Sequence, residues 1–306
     1  MSQRIRPCLW IASAALVMTA SVEAVHGAPS GKRIFLSVDI EGISGAVSPN
    51  QMSSNGRDYE IARAEATAEV LAAIAGAEAA GATEFVIADA HGDFQNLLNE
   101  RLPANVTLIR GAPRPLAMME GIDRGHFDGA MLIGYHAGAS SLRGIRPHTI
   151  SGSRISELRL NGVPASEAHL SVAIAAQYGV PVILVTGDDV TAADLKTLLP
   201  NSEMAVVKRA ISFQSAETIS PSQAQARIRE KAELAVRRLG TIKPGSKLEP
   251  VNLDLTFAFY RPAELLSWLP IVRRIGPRSI RYQAKDMRAV SQFLQFTLEY
   301  SSELQP

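Results

Sequence analysis

Three apolar runs of this chain each end in metal-type ligands, and no other feature constrains the fold as strongly. The runs are IFLSVDIEG (residues 34–42), FVIADAH (residues 85–91) and AMLIGYH (residues 130–136). They deliver Asp39 and Glu41, then His91, then His136. Short Val- and Ile-rich runs, bounded by turn residues and separated by helical stretches, read as buried parallel strands. In open α/β sheets, ligands bind beyond the carboxyl ends of the strands. The four side chains are therefore expected on one edge of one sheet, where two carboxylates and two imidazoles make a transition-metal donor set.

The intervening pattern predicts an α/β fold, a mostly parallel sheet with flanking helices over residues 32–200. A long helix is expected over residues 59–80, with Ile61, Ala64, Ala68, Leu71 and Ala75 facing inward and Gly81 as its stop. Strand, short helix, strand, helix and strand then follow over residues 85–89, 96–101, 106–110, 115–121 and 129–134. Residues 156–160 read as a strand closed by Asn161-Gly162. Residues 165–178 read as a helix, and 181–185 as a buried strand followed by a helix capped at Thr191. Beyond residue 200 the character changes. A strand over 205–211, a charged amphipathic helix over 221–239, an alternating strand over 251–259, a strand over 279–283 and a final helix over 285–300 suggest a smaller C-terminal α+β subdomain, residues 201–306.

The amino terminus reads differently. Arg4 and Arg6 precede an apolar stretch over residues 9–20 and then small residues, the pattern of a secretory signal peptide over residues 1–27. The stretch is short for a membrane span and carries Ser and Thr. The expected location is periplasmic or secreted, with no stable membrane span after cleavage. The single cysteine, Cys8, lies inside that segment, so the mature chain would have neither disulfides nor cysteine ligands. A net charge of +1 without a basic stripe gives no case for nucleic acid.

In extended backbone, residues i and i+2 point to the same side, so Asp39 and Glu41 can aim at one point. Gly42 and Gly45 permit a tight departure of the chain. Asp89 reads equally as an orienter of an imidazole or as a turn cap. His148, in the loop LRGIRPH, reads as an exposed loop residue or as a mobile acid/base. Glu167 reads as an acid favoured in a first helical turn. His126 and His169 read as surface residues, Asp188 and Asp189 as helix caps. Nucleophile-elbow, P-loop and dinucleotide fingerprints are missing.

Seven motifs, in order, carry a resemblance: SVDIEGISG (residues 37–45), DAH (89–91), GYHA (134–137), Pro147-His148, the N-G-x-P-x-x-E stretch (161–167), GDD (187–189) and QAKDM (283–287). Together they resemble the DppA-type zinc-dependent D-aminopeptidase family, from about residue 32 to residue 300. The resemblance implies two Zn2+ ions per subunit, held by Asp39, Glu41, His91, His136 and Glu167, with His148 catalytic. It replaces the plainer readings of His148 and Glu167. It also implies a ring-shaped homo-oligomer, for which Trp268, Leu269 and Phe293 are candidate exposed apolar residues. Here the loop between His136 and His148 is one residue longer than the family pattern.

The expected function is that of a dinuclear-zinc aminopeptidase, which removes N-terminal, D-configured amino acids from short peptides through a metal-activated water. Two metal ions about 3.5–4 Å apart suit that reaction, and Asp39 is the candidate bridge between them. The rivals are a di-metal hydrolase of a phosphoester or cyclic amide, and a non-enzymatic periplasmic solute-binding protein. Stereochemistry is read by pocket shape, so the D-preference rests on the resemblance alone.

Overall fold

The computed structural model describes residues 31–300, so the expected signal peptide lies outside the described residues. The chain runs β1 (Lys32–Val38), α1 (Pro49–Met52), α2 (Tyr59–Ala79), β2 (Ala82–Asp89), β3 (Val106–Ile109), β4 (Gly129–Tyr135), β5 (Ile155–Leu160) and β6 (Val163–Pro164). It continues with α3 (Glu167–Gln177), β7 (Val182–Asp188), α4 (Asp189–Leu198), β8 (Glu203–Ser212), β9 (Ser215–Thr218) and α5 (Pro221–Arg237). The last elements are β10 (Val251–Phe257), α6 (Tyr260–Leu266), β11 (Val272–Gly276), β12 (Ser279–Ala284) and α7 (Met287–Glu299).

Seven strands form the main sheet in the order β3-β2-β1-β4-β7-β8-β9. All its pairs are parallel except the edge pair β8–β9. The chain steps outward from β1 to β2 to β3, then returns to the other side of β1 for β4. The order thus reverses between β1 and β4, the place where such sheets open a ligand crevice. Both faces are covered, which is why β1 and β4 read as unbroken apolar runs rather than alternating ones. Ile34, Leu36 and Val38 pack with Ala66 and Val70 of α2 and Ile228 of α5. Phe35, on the opposite face, packs in a core with α3, α7 and the second sheet.

That second sheet is antiparallel, in the order β11-β12-β10-β5-β6. Val251, Leu253, Leu255 and Phe257 are buried and alternate with half-buried residues, as their period-two pattern requires. The two sheets do not part at residue 200. β8, β9 and α5 belong with the main sheet, whereas β5 and β6 belong with the C-terminal strands. The reason is non-local: β5 is fixed by pairing Leu158 with Leu255 and Leu160 with Leu253, and no local pattern encodes such a register.

α2 buries a different stripe from the expected one. Ile61 is 61% exposed, and Ala62, Ala66, Val70, Ala73 and Ala77 face the core. Alanine occurs on nearly every side of this helix, so apolar periodicity does not select a face. Contact selects it: a Cβ at Gly76 would lie 2.1 Å from the Arg229 carbonyl of α5, so the two helices pack with their backbones close. The helices expected over residues 96–101 and 115–121 are single 3-10 turns, Asn99–Arg101 and Ala117–Met119. Of the three apolar residues singled out in the C-terminal part, Trp268 and Leu269 are exposed but Phe293 is buried, stacked on Tyr282 at 4.3 Å. No helix among the described residues is long and apolar enough to cross a membrane.

Candidate metal centre

Asp39 follows β1, His91 follows β2 and His136 follows β4, so the three neighbouring central strands end side by side. Two glycines lock the first and third of these ends together. Gly42 donates its N–H to the Gly134 carbonyl at 2.7 Å, and a Cβ at Gly42 would lie 2.0 Å from the Tyr135 carbonyl. Gly134 itself has φ +71°, and a Cβ there would lie 2.2 Å from the Asp39 carbonyl. The close approach that Gly42 permits is thus backbone on backbone. Glu167 arrives from the first turn of α3, behind the N-cap Ser166. Its Oε1 accepts the Ile150 N–H at 2.7 Å, which fixes the carboxylate.

All six expected site residues come together. His91 Nδ1 lies 2.7 Å from Glu41 Oε2 and 3.2 Å from Asp39 Oδ1. His136 Nε2 lies 3.3 Å from Glu167 Oε1 and 3.5 Å from Asp39 Oδ2. His148 stacks on His136 with ring centroids 4.2 Å apart, its Nε2 3.6 Å from Glu167 Oε1 and 4.0 Å from Glu41 Oε1. Each imidazole has one nitrogen tied to a backbone carbonyl. His91 Nε2 donates to Met52 O at 2.7 Å, His136 Nδ1 to Ala137 O at 2.9 Å and His148 Nδ1 to Arg146 O at 2.8 Å. The other nitrogen of each ring faces the carboxylates. Ligating histidines are usually oriented and held in one tautomer in this way.

The electrostatics are those of a cation site. Burial pushes the His136 imidazole down, but Glu167, Asp39 and Glu41 outweigh burial and raise it to about 10. His91 is likewise held well above its ordinary value, against burial, by Glu41 and Asp39. Burial, followed by the charge of Glu41, holds Asp39 well above the carboxylate range. Glu41 is held well below it, because the adjacent His91 outweighs the effect of burial. Clustered carboxylates of this kind favour positive charge beside them, which imidazole protons or a metal ion can supply.

The spacing fits as well. Two ligands about 2.1 Å from a tetrahedral ion lie roughly 3.4 Å apart, close to the 3.3 and 3.5 Å between His136 and its two carboxylates. Asp39 Oδ2 and His136 Nε2 are buried and have no hydrogen-bond partner, a costly state that a cation would relieve. The donors form overlapping sets within ligating reach: Asp39, Glu41 and His91; Asp39, His136 and Glu167; and Glu41, His136 and His148. Asp39 belongs to the first two.

Sequence reasoning missed Lys208. This buried lysine of β8 donates to the carbonyls of Glu41 at 2.5 Å and Ile43 at 2.7 Å, and also to that of Ala46. It pins the turn that carries Glu41. Burial lowers its pKa to about 8. Behind the same turn, Glu69 accepts the Ser44 N–H at 2.8 Å, and burial pushes its carboxyl up to about 7. The only signal for Lys208 was a charge inside a run expected to be a strand.

Asp89 caps a turn: it accepts the N–H groups of Asn96 and Leu97, and Asn96 in turn donates to the His91 carbonyl. The N-cap of α4 is Asp188, not Thr191, whose hydroxyl donates to it. Asp189 accepts the Ala210 N–H and lies within the first turn of α4. His126 is exposed, whereas His169 is half-buried and packs against the N-cap Ser166.

Fold and site together define an α/β protein with a candidate carboxylate–histidine metal centre at the sheet's switch point. The chain belongs to the M55 peptidase family, described as D-aminopeptidase, which matches residues 32–296. It is 36% identical over 259 residues to a D-aminopeptidase of Bacillus subtilis (strain 168), covering 83% of this chain and 92% of that protein. Among solved structures it is similar to the Zn-dependent D-aminopeptidase DppA from Bacillus subtilis, a self-compartmentalizing protease. That similarity has a TM-score of 0.83 at 33% identity, over 87% of this chain and 97% of the other.

Proposed function

We propose that this protein is a dinuclear-zinc aminopeptidase that removes N-terminal D-amino acids from short peptides. The observation that carries the reading is the orientation of the imidazoles, each tied to a carbonyl through one nitrogen and facing the carboxylate cluster with the other. Glu41 and His91 would hold one ion, His136 and Glu167 the other, and Asp39 would bridge them. Bound there, a zinc pair supplies Lewis acidity toward the scissile carbonyl and lowers the pKa of water.

The chain's own residues do the rest. His148 is the most exposed imidazole of the set, and its Nδ1–H is held by Arg146 O, so Nε2 is the atom free to pass a proton to the leaving amine. Phe94, Met118 and Ile150 give an apolar wall to a cavity of about 150 Å³ beside Asp39, Glu41 and His148, a place for the first side chain. Self-association into a ring extends the reading, motivated by the self-compartmentalizing relative and by exposed Trp268 and Leu269. The basic, apolar start of the sequence supports export.

The test is hydrolysis of D-Ala-D-Ala against L-Ala-L-Ala, before and after removal of metal by a chelator and again after zinc is restored. The expected result is zinc-dependent cleavage that prefers the D-substrate. Metal-independent cleavage, or equal rates on the two enantiomers, would reject the corresponding half of the reading.

A further inference from the structure

A second cavity, about 370 Å³, adjoins the first and shares Glu41, His91 and Gly92 with it. The two differ in charge. The first is lined by Asp39, Glu41, Glu167 and, at its outer end, Glu299 of α7. The second is lined by Arg146 together with Ser53, Ser54 and Asp93. Arg146 is half-buried and holds a left-handed backbone, φ +51°, a conformation that costs energy for a side chain of this size. Its N–H donates to the Phe213 carbonyl at 2.9 Å, and its guanidinium lies over the Phe213 ring at 4.9 Å. Among the described residues no carboxylate forms an ion pair with it, and Asp93, across the cavity, is no exception.

From this geometry we propose that Arg146 reads the free C-terminal carboxylate of the substrate, making the enzyme selective for dipeptides and very short peptides. The proposal rests on the aminopeptidase reading and adds a specificity-determining residue to it. A guanidinium is planar, permanently charged and matched to a carboxylate in a bidentate pair. The Arg146 carbonyl is 2.8 Å from the His148 ring. Arg146 lines the cavity that adjoins the one holding His148, and each extended residue spans at most about 3.5 Å, so the carboxylate it would meet lies a short way beyond the scissile bond. Charge also sets the direction of the peptide. The ammonium end lies toward the carboxylate-lined cavity, where Glu299 remains when Asp39, Glu41 and Glu167 hold metal. The carboxylate end lies toward Arg146. A reversed peptide would place its carboxylate beside Glu299 and away from Arg146. Arg146 would thus contribute to substrate affinity and not to the chemical step.

The experiment compares D-Ala-D-Ala with its C-terminal amide on the zinc-loaded wild type, Arg146→Gln and Arg146→Lys, with KM and kcat separated and zinc content measured. The wild type should favour the free acid over the amide by roughly 10- to 100-fold in kcat/KM, the range for a hydrogen-bonded charge pair. Arg146→Gln should bring that ratio to about one through KM, with zinc retained, and Arg146→Lys should restore part of it. A wild type without acid preference would overturn the proposal. So would an equal loss on acid and amide in Arg146→Gln, which would make Arg146 only a latch on Phe213. Failure of the aminopeptidase reading itself would appear as no cleavage of either compound. Calorimetric binding of acid and amide to the wild type and Arg146→Gln would then decide the carboxylate site by the same ratio.

Discussion

Asp39→Ala is expected to release both metal ions and to lower kcat/KM by roughly 1,000-fold or more, the loss of several kcal/mol of transition-state stabilisation. Asp39 is 1% exposed and is the one residue common to the two candidate ligand sets that contain His91 and Glu167. Burial and Glu41 both disfavour its charge, a cost that bound cations beside it would offset. Removing it leaves His91 and His136 facing one carboxylate fewer. Glu41→Ala, by contrast, should weaken chiefly the ion shared with His91. Zinc per chain by elemental analysis, with kcat/KM on a D-aminoacyl substrate, reads both variants. Full zinc occupancy in Asp39→Ala would end the bridging assignment.

His148→Ala should keep its zinc and lose kcat by about 100-fold or more, the scale of a positioned acid/base group. His148 is the most exposed of the three imidazoles that face the carboxylates, and its free Nε2 lies farther from the carboxylates than those of its neighbours. That distance suits a group that acts on substrate. Nε2 nevertheless falls within ligating reach of Glu41 and His136, so metal content decides between the roles. Zinc loss equal to that of His136→Ala would make His148 a ligand. A wild-type kcat would remove it from the reaction.

Much of the site was legible because strand ends are local in sequence. A buried parallel strand advertises itself as an apolar run, and the residue after the run is placed by the sheet. This gave Asp39, Glu41, His91 and His136 without any long-range information. Glu167 and His148 were not legible that way. One sits in a helix's first turn, where an acid has a simpler explanation, and the other in a loop, and the resemblance supplied both.

Lys208 was lost for a related reason, since its acceptors are carbonyls more than 160 residues away and backbone acceptors leave no trace in sequence. The second sheet was legible strand by strand, through the alternation of Val251, Leu253, Leu255 and Phe257. Its membership was not, because β5 joins β10 only through tertiary pairing. The buried face of α2 was hidden by its alanines, which look alike from every side.

A pair of zinc ions is proposed beyond the carboxyl ends of β1, β2 and β4, held by Asp39, Glu41, His91, His136 and Glu167. Anomalous diffraction from crystals of the zinc-loaded protein, collected on both sides of the zinc absorption edge, tests it most directly. Two zinc peaks per chain are expected, one beside Glu41 and His91 and one beside His136 and Glu167, with Asp39 contacting both. A single peak, or peaks away from Asp39, would contradict it.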